Sequence, residues 1–313
     1  MRSTNSQAAS EALFGSAARG SADRLSDRDM LLVDNDVDVL KVRSQHLKQE
    51  GWSVASYTFA KLEALAASGA LFVQHLKSEC RISVDRHGRL GALLEHFQPK
   101  PSYAEELLCN RDLSGLVSAS PDCPRGTLWA ADVLYVSVRN FAVLRLASEG
   151  IYEFDYNNLI DALASRNVIR QPGVKALREL RFLKCIYRSG DILSESRVLR
   201  SLDAALSALP SEDFPSRLKR VPAAHLLQRK GPCSSAAKYV TLRDLERRML
   251  AYASIAPSGT CDPLLARLQT WVRDPRVYAY YASKCAPEII EQLRTNLLAG
   301  HYAAPAGVAI SSR

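Results

Sequence analysis

The stretch LFGSAARG (residues 13–20), followed by LSDRDMLLV (residues 25–33), decides the fold of the first part of this chain. Residues 30–33 form an apolar run with an aspartate on each side, and this pattern predicts a short β-strand. The apolar run at residues 12–14 is too short to assign and can equally end a helix. Because side chains two positions apart on a strand share one face, we expect Asp27 and Asp29 to point to the same side.

The residues around this predicted strand have the chemistry of a site for metal-bound phosphate. Two carboxylates on one face can reach the same cation, and Mg²⁺ prefers carboxylate oxygens supplemented by substrate phosphates and water. Gly15 allows the backbone to approach a ligand closely. Ser16 offers a hydroxyl and an N–H group where a helix is predicted to start. Arg19 and Arg24 are candidates to neutralise phosphate charge.

The order of these residues carries a family resemblance. Gly15 and Ser16 are followed by ten residues, 17–26, and then by the pair Asp27 and Asp29. This segment resembles the minimal nucleotidyltransferases of the DNA polymerase β superfamily, and its flanks are similar to those usual in the family. The later stretch LFVQHLKSECRISVDRHGRL, which begins at residue 71, is similar to one that often closes these domains. The resemblance covers residues 11–97.

The resemblance implies a Mg²⁺-dependent transfer of a nucleoside monophosphate from a nucleoside triphosphate (NTP) to a protein, RNA or small-molecule acceptor. It implies that Asp27 and Asp29 hold the metal ions that clamp the α-phosphate and the leaving pyrophosphate. Ser16 and the backbone near it would hold the β- and γ-phosphates. The acceptor hydroxyl would attack in line, with positioning and charge neutralisation supplying most of the acceleration.

A third catalytic carboxylate is absent from its expected place. The family usually carries it on a later strand of the sheet, whereas the next predicted strand, residues 52–58, contains no acid. The candidates to replace it are Asp85 and Glu63. We choose Asp85, at the end of a predicted strand, although an aspartate there can equally start a turn. The alternative to an enzyme is therefore a regulatory nucleotide-binding module with weak or no catalysis.

The chain is predicted to be an α+β protein, with a small mixed-sheet nucleotidyltransferase domain followed by an all-α helical domain. Short predicted strands and helices alternate up to the segment 98–102, whose two prolines disfavour regular structure. The predicted divisions are a nucleotidyltransferase domain at 1–98, a linker and helix at 99–126, a helical bundle at 127–210 and a C-terminal helical region at 211–313. Candidate helices after the linker are 103–118, 128–148, 156–164, 174–188, 194–209, 241–253, 263–272 and 287–298.

A second family was considered for the same strand. Residues 30–36, followed by an amphipathic helix that ends at Gly51, also resemble a response-regulator receiver. That domain needs a phospho-acceptor aspartate at the end of its third strand, and none occurs near residues 72–74. We therefore interpret Asp34 and Asp36 as loop and helix-cap residues.

Three basic or histidine-containing features lie outside the motif. The helix around Arg139 and Asn140 is similar to the bundles that accompany minimal nucleotidyltransferases, including the HEPN type, but Arg139 lacks the downstream histidine of HEPN ribonucleases. The pair is either a packing or a substrate-facing pair. His75 is expected to be a semi-buried, hydrogen-bonded side chain. The basic stretch 166–200 is either a solvated helix face or a wall that faces triphosphate or RNA.

Composition limits the class of protein. The chain has 313 residues, a formal net charge of +8 and a sequence pI of about 9.2, which suits polyanionic partners or serves solubility alone. Its seven cysteines are scattered without metal-ligand spacing and suit reduced thiols. We identify neither a signal peptide nor an apolar run that could span a membrane. We expect a cytoplasmic protein without membrane contact, and its oligomeric state stays open.

Overall fold

The computed structural model describes residues 7–228, 238–255 and 262–273. The chain divides into two compact units. The first contains Met1–Leu107 and Arg139–Leu163, and the second contains Leu108–Val138 and Ala164–Arg313. Each unit is therefore built from two separate stretches of chain. This division differs from the sequence-based one, because a segment of the predicted bundle returns to the sheet-containing unit.

The first unit contains a four-stranded mixed sheet in the order β3-β2-β1-β4. Strand β1 runs antiparallel to both of its neighbours, and β2 pairs with β3 in parallel. The expected strands at residues 30–33 and 52–58, and the strand expected to end at Asp85, are thereby confirmed. The unassigned run at residues 12–14 belongs to a central strand. The strands are β1 (Ser10–Phe14), β2 (Asp29–Val33), β3 (Ser53–Tyr57) and β4 (Arg81–Asp85).

Helices make up most of the rest of the described chain, so the predicted α+β class is confirmed. The candidate helix at 287–298 lies outside the described residues. The helices are α1 (Gly15–Arg19), α2 (Val37–Gln49), α3 (Phe59–Ala67), α4 (Leu71–Glu79), α5 (Arg89–His96), α6 (Ala104–Gly115), α7 (Pro124–Ala147), α8 (Tyr156–Ser165), α9 (Val174–Ser189), α10 (Glu195–Ala208), α11 (Ala223–Gln228), α12 (Lys238–Ala253) and α13 (Asp262–Arg273). A two-residue parallel pair, β5 (Ser120–Pro121) and β6 (Arg220–Val221), lies in the second unit.

Apolar side chains cover both faces of the four-stranded sheet. On one face, Leu31 and Val33 of β2 pack in a cluster with buried residues of α3, α4 and α5. On the other face, Met30 and Leu32 pack with residues of α2. Successive strand residues point to opposite faces, so Asp29 continues the row of Leu31 and Val33 on the α4 side. The hydrophobic pattern of β2 thus sets the direction of the Asp29 side chain.

The second unit holds a buried network of charged and polar groups. The Arg243 side chain is 1% exposed, and its Nη1 donates to Asp132 Oδ2 at 2.6 Å. Arg188 donates to the other oxygen of Asp132 at 2.8 Å. Glu246 accepts from Tyr187 at 2.6 Å and from the Trp129 indole at 3.1 Å. Within the described residues, no helix is both long and apolar enough to cross a bilayer.

Candidate functional site

One edge of the sheet gathers the ends of three strands. Phe14 is the last residue of β1 and pairs with Asp29, the first residue of β2, which in turn pairs with Ser53 at the start of β3. Gly15 follows Phe14 with a φ of +67°, a conformation that favours glycine. A Cβ atom at this position would lie 3.1 Å from Asp29 Oδ2. The glycine of the motif therefore lets the backbone turn directly against the Asp29 carboxylate.

Asp29 is half-buried at this edge, and its surroundings disfavour the ionised form of its carboxyl group. Burial raises the pKa of Asp29 above its ordinary value, and the neighbouring charge of Asp27 adds to the increase. A hydrogen bond from the Ser53 side chain and electrostatic interactions with His75 and Arg139 oppose this increase in pKa, without reversing the net direction. Asp27 itself is exposed, two residues before the strand. The two acids of the motif are thus close enough to repel each other.

Ser16 lies at the second position of α1, a helix of five residues. It is half-buried, and its backbone oxygen accepts from the amides of Gly20 and Ser21. Within residues 7–228, 238–255 and 262–273, its hydroxyl has no hydrogen-bond partner. The short helix leads into an exposed loop at residues 20–24 before the chain reaches Asp27. Ser16 therefore directly follows the Gly15 turn, and its hydroxyl is not used by the described part of the chain.

The two predicted phosphate-binding arginines have different environments. Arg19, at the end of α1, forms ion pairs with Glu79 and with Asp155, the latter at 3.0 Å. Its charge is therefore already balanced by two carboxylates within the first unit. Arg24 is exposed in the loop before Asp27. The structure does not bring Arg19 to the strand edge as a free cation, because these carboxylates hold its guanidinium.

His75 of α4 joins the Arg19 cluster on the Asp29 face of the sheet. Its Nε2 lies 2.9 Å from Glu79 Oε2, and its ring stacks on Phe154 with centroids 4.4 Å apart and an interplanar angle of 21°. Its edge also contacts Phe14, with centroids 5.7 Å apart. Burial would raise the pKa of Glu79, but the bonds and charges of His75 and Arg19 outweigh burial and lower it. Histidine 75 is thus semi-buried and hydrogen-bonded, as its helical context indicates.

Sequence reasoning missed Glu79, Phe154 and Asp155 as neighbours of the motif. Asp155 lies 136 residues after Arg19 in the chain, in the segment that returns to the first unit. Its own local pattern is that of a helix cap, because its carboxylate accepts from the amides of Asn157 and Asn158. No local signal links it to the motif. Glu79, four residues after His75 on one helix, could have been paired with it by helical spacing.

Asp85 lies at the opposite edge of the sheet from Asp29. It pairs with Ser10, the first residue of β1, whereas Asp29 pairs with the last. Four residues of strand separate these positions, a distance of about 13 Å. The Asp85 carboxylate accepts from Ser10 Oγ at 2.8 Å and from the backbone amide of Gly91 at 2.8 Å. The expectation that Asp85 joins the two motif acids is therefore corrected: strand direction carries it away, and it caps α5.

Glu63 does not supply the third acid either. It lies on α3, which begins just after β3 ends, and it forms an exposed ion pair with Arg89 at 2.6 Å. On the strand beside Asp29, the register position is occupied by Ser53, whose side chain bonds to the carboxylate. The side chain beside Asp29 on the neighbouring strand is therefore a hydroxyl and not the third carboxylate that the family usually has.

A separate cavity of about 220 Å³ lies at the Asp85 edge, with Asp34 and Asp85 among its lining residues. Asp34 accepts from the backbone amide of Ala9 at 2.7 Å and from that of Asp36 at 2.9 Å. Asp36 in turn caps α2 by accepting from the amides of Asp38 and Val39. The loop and cap roles predicted for Asp34 and Asp36 are confirmed, and these acids are bound to the backbone.

The residues at the Asp29 edge fit Mg²⁺ when it arrives with phosphate. Among the described residues, no group of three histidine, cysteine, aspartate or glutamate side chains is arranged to hold a metal ion. Two mutually repelling carboxylates, Asp27 and Asp29, are a partial site. Mg²⁺ is commonly held by one or two carboxylates together with substrate phosphates and water. The donor set therefore suits a metal–nucleotide complex better than the metal alone.

The basic stretch 166–200 does not form a uniform open wall. Lys184 is buried with its Nζ 5.2 Å from the centre of the Tyr135 ring. Arg188 binds Asp132, and Arg197 pairs with Glu179 at 2.9 Å. Part of this positive charge is thus used inside the second unit.

Comparison with protein-family models, curated proteins and solved structures finds no match to this chain.

Proposed function

We propose that this protein is a Mg²⁺-dependent nucleotidyltransferase that moves a nucleoside monophosphate from an NTP to an acceptor hydroxyl. The observation that carries the proposal is the edge of the sheet where Gly15 turns against Asp29, with Asp27 close by. The spacing of Gly15 and Ser16 from the two acids is that of the nucleotidyltransferase motif. The acceptor is a protein, an RNA or a small molecule.

The chain's own residues bind and orient the nucleotide in this proposal. Asp27 and Asp29 would hold Mg²⁺, which lowers the charge repulsion between an NTP and its attacker. The like charge and burial that raise the pKa of Asp29 would be relieved by a bound cation. Ser16 would donate its hydroxyl to a phosphate oxygen. The acceptor oxygen then bonds to the α-phosphorus, the bond to the β-phosphate breaks, pyrophosphate leaves and the hydroxyl proton is released.

A second candidate function is a regulatory module that binds a nucleotide without transferring it. The observation that favours it is Ser53, which stands beside Asp29 on the neighbouring strand. A neutral hydroxyl lacks the negative charge with which a carboxylate binds a metal ion, and it cannot act as a base in place of a carboxylate. Under this alternative, NTP binding depends on Asp27 and Asp29, but pyrophosphate is not released.

Release of pyrophosphate from each of the four NTPs, with Mg²⁺ and with cell extract as a source of acceptor, tests the proposal. We expect release with the native protein and a loss of at least a hundredfold in Asp27→Asn and Asp29→Asn, since each removes a metal-binding charge. The matched control is Asp38→Asn, which changes an exposed aspartate on α2 and should keep full activity. Undiminished release in either motif variant would sink the proposal.

Equilibrium binding separates the two candidates. Nucleotide binding that needs Asp27 and Asp29, without pyrophosphate release under any condition, favours the regulatory module. Absence of NTP binding by the folded native protein contradicts both candidates. Thermal unfolding of every variant shows whether a loss of binding reflects the site or a loss of folding.

A further inference from the structure

The edge of the sheet that holds Asp85 is a second place where two carboxylates come together. Ser10, the first residue of β1, pairs with Val33, the last residue of β2, and on its other side with Asp85, the last residue of β4. Asp34 directly follows Val33 in the chain. Because β1 lies between β2 and β4 in the sheet, one acid lies on each side of its first residues. This edge is about 13 Å along the strands from Asp29, so it is separate from the proposed nucleotide site.

Hydrogen bonds fix both carboxylates at the start of β1. Asp34 Oδ2 accepts from the backbone amide of Ala9 at 2.7 Å, and Asp85 Oδ1 accepts from Ser10 Oγ at 2.8 Å. Ala9 and Ser10 are neighbours in the chain, so the two carboxylates are bound to adjacent donors. Both of them line the cavity of about 220 Å³ at this edge. The cavity therefore has two preorganised carboxylates in its wall.

The wall of this cavity carries an excess of negative charge. In the part of the chain that the structure describes, neither Asp34 nor Asp85 forms an ion pair. Arg89 also lines the cavity, but Glu63 already balances its charge at 2.6 Å. His87 is the other basic residue of the lining, and it is exposed. Even a protonated His87 would leave one negative charge over, so the wall favours a cationic ligand.

The hydrogen-bonding capacity and the size of the cavity restrict the kind of cation. An ionised aspartate has about four acceptor positions, and Asp34 accepts two hydrogen bonds and Asp85 three. Each carboxylate can therefore accept from a further donor. A metal ion is disfavoured, because the described residues hold no group of three side chains arranged to bind one. The cavity is also smaller than the roughly 300–1,000 Å³ of sites for drug-sized ligands, so a nucleotide does not fit within it.

We propose that this cavity binds a small organic cation that carries a primary ammonium group. The ammonium has three N–H donors and donates to Asp34 and to Asp85. Its carbon stem lies against Ala9 and Phe59, the apolar residues of the lining. The inference goes beyond the proposed function and does not rest on it, because none of the residues that line the cavity belongs to the Gly15–Asp29 edge.

The test is calorimetric titration of the full-length chain with butylamine and putrescine at low ionic strength, with butanol as the neutral comparison. We expect saturable binding of both amines and none of butanol. Asp34→Asn and Asp85→Asn should each weaken amine binding about tenfold or more, because each removes a charge that the ammonium pairs with. The matched control is Asp38→Asn, an exposed aspartate outside the cavity, which should keep the native affinity.

The native protein alone can overturn the inference, whether or not the variants fold. Absence of saturable amine binding by the folded native chain would do so, as would equal affinity for butanol and butylamine. Binding of Mg²⁺ that excludes the amines would identify a metal site instead. Melting temperatures show which variants are folded, and native amine affinity in folded Asp34→Asn and Asp85→Asn would place the binding elsewhere and reject the cavity.

Nucleotide binding separates this inference from the proposed function. Asp34→Asn should keep the native NTP affinity while it loses amine binding, and Asp29→Asn should bind amines as the native protein does. A native chain that binds amines but no NTP would contradict the proposed function and leave the cavity assignment intact. A native chain that binds NTP but no amine would do the reverse.

Discussion

Asp29 carries a charge at the margin of the core, where an apolar side chain would stabilise the fold better. It lies on the same face of β2 as Leu31 and Val33, which belong to the apolar core. Because Asp29 is the first residue of the strand, its carboxylate lies at the margin of that core. Burial and the charge of Asp27 raise its pKa, which means that the folded protein holds the ionised form at a cost. An uncharged side chain of the same shape would avoid this cost. Retaining a charge here is consistent with cation binding.

At the residue scale, Asp29→Asn should raise the stability of the ligand-free protein at neutral pH. Because the folded pKa of Asp29 lies above its unfolded value, the native protein loses stability as pH rises through the interval between them. The variant lacks this loss. It should therefore be more stable than the native protein at pH values above that interval, and the difference in stability should disappear below it. Urea unfolding of both proteins from acid to neutral pH measures the difference.

An equal or lower free energy of unfolding for Asp29→Asn at neutral pH would contradict this assignment. The same variant is expected to lose pyrophosphate release. A loss of activity together with a gain in stability would exclude unfolding as the reason for the lost activity. Asp38→Asn, on the exposed start of α2, is again the matched control and should show little pH-dependent gain.

At the scale of single elements, the two ends of β1 have different roles. One end leads through Gly15 into α1 and places the backbone against Asp29. At the other end, Ser10 pairs with Asp85, whose carboxylate accepts from the amides of Leu90 and Gly91 at the start of α5. These amides are among those that have no partner within the helix itself. Asp85 is therefore a helix-capping residue.

Asp85→Ala should consequently destabilise the protein without weakening nucleotide binding. Loss of a helix cap typically costs about 1–2 kcal/mol, and we expect a decrease of that size in the free energy of unfolding. NTP affinity should be unchanged once folding is verified. Glu95→Ala, an exposed substitution on the same helix, is the control and should change stability little. A specific loss of pyrophosphate release in stably folded Asp85→Ala would restore Asp85 as a catalytic candidate.

At the scale of the whole molecule, the two units share continuous helices. Helix α7 contributes its first part to the second unit and its last part, from Arg139, to the first. The first part carries Trp129 and Asp132, which belong to the buried network of the second unit. Burial alone would raise the pKa of Asp132, but Arg243 and Arg188 outweigh burial and lower it. A folded second unit therefore depends on charges that neutralise one another inside it.

Removing Arg243 should be among the most damaging single changes in the second unit. Arg243 also pairs with Glu246, with its Nε 3.1 Å from Glu246 Oε2, so Arg243→Leu leaves both Asp132 and Glu246 buried without this cation. Loss of one partner of a buried ion pair costs about 3–5 kcal/mol. Chemical denaturation followed by circular dichroism measures the loss. Arg200→Ala, an exposed arginine on α10, should stay within about 0.5 kcal/mol of the native protein. An equally small effect for Arg243→Leu would show that the network contributes little.

Local sequence pattern was sufficient to predict most of the strands and helices, but it was not sufficient to predict which residues come together at the candidate site. The apolar run at 30–33 predicted β2, and helical spacing predicted α7, α9 and α10 to within a few residues. The run at 12–14 was too short to assign, because β1 is identified by strand pairing on both sides and not by its own composition. Asp85 was misplaced for a related reason. Its distance from Asp29 depends on the direction of β4, which no local pattern encodes.

The amino-acid sequence by itself determined the alternation of strands and helices, the α+β class and the motif of Gly15, Ser16, Asp27 and Asp29, because each depends on residues close together in the chain. The tertiary structure alone decided which groups surround that motif. Arg19 is bound by Asp155, and the charge of Arg139 acts on Asp29, although these partners are more than 100 residues apart. Such neighbours are set by sheet pairing and by the return of residues 139–163 to the first unit. Long-range packing, and not local propensity, therefore determines which charges meet at the candidate site.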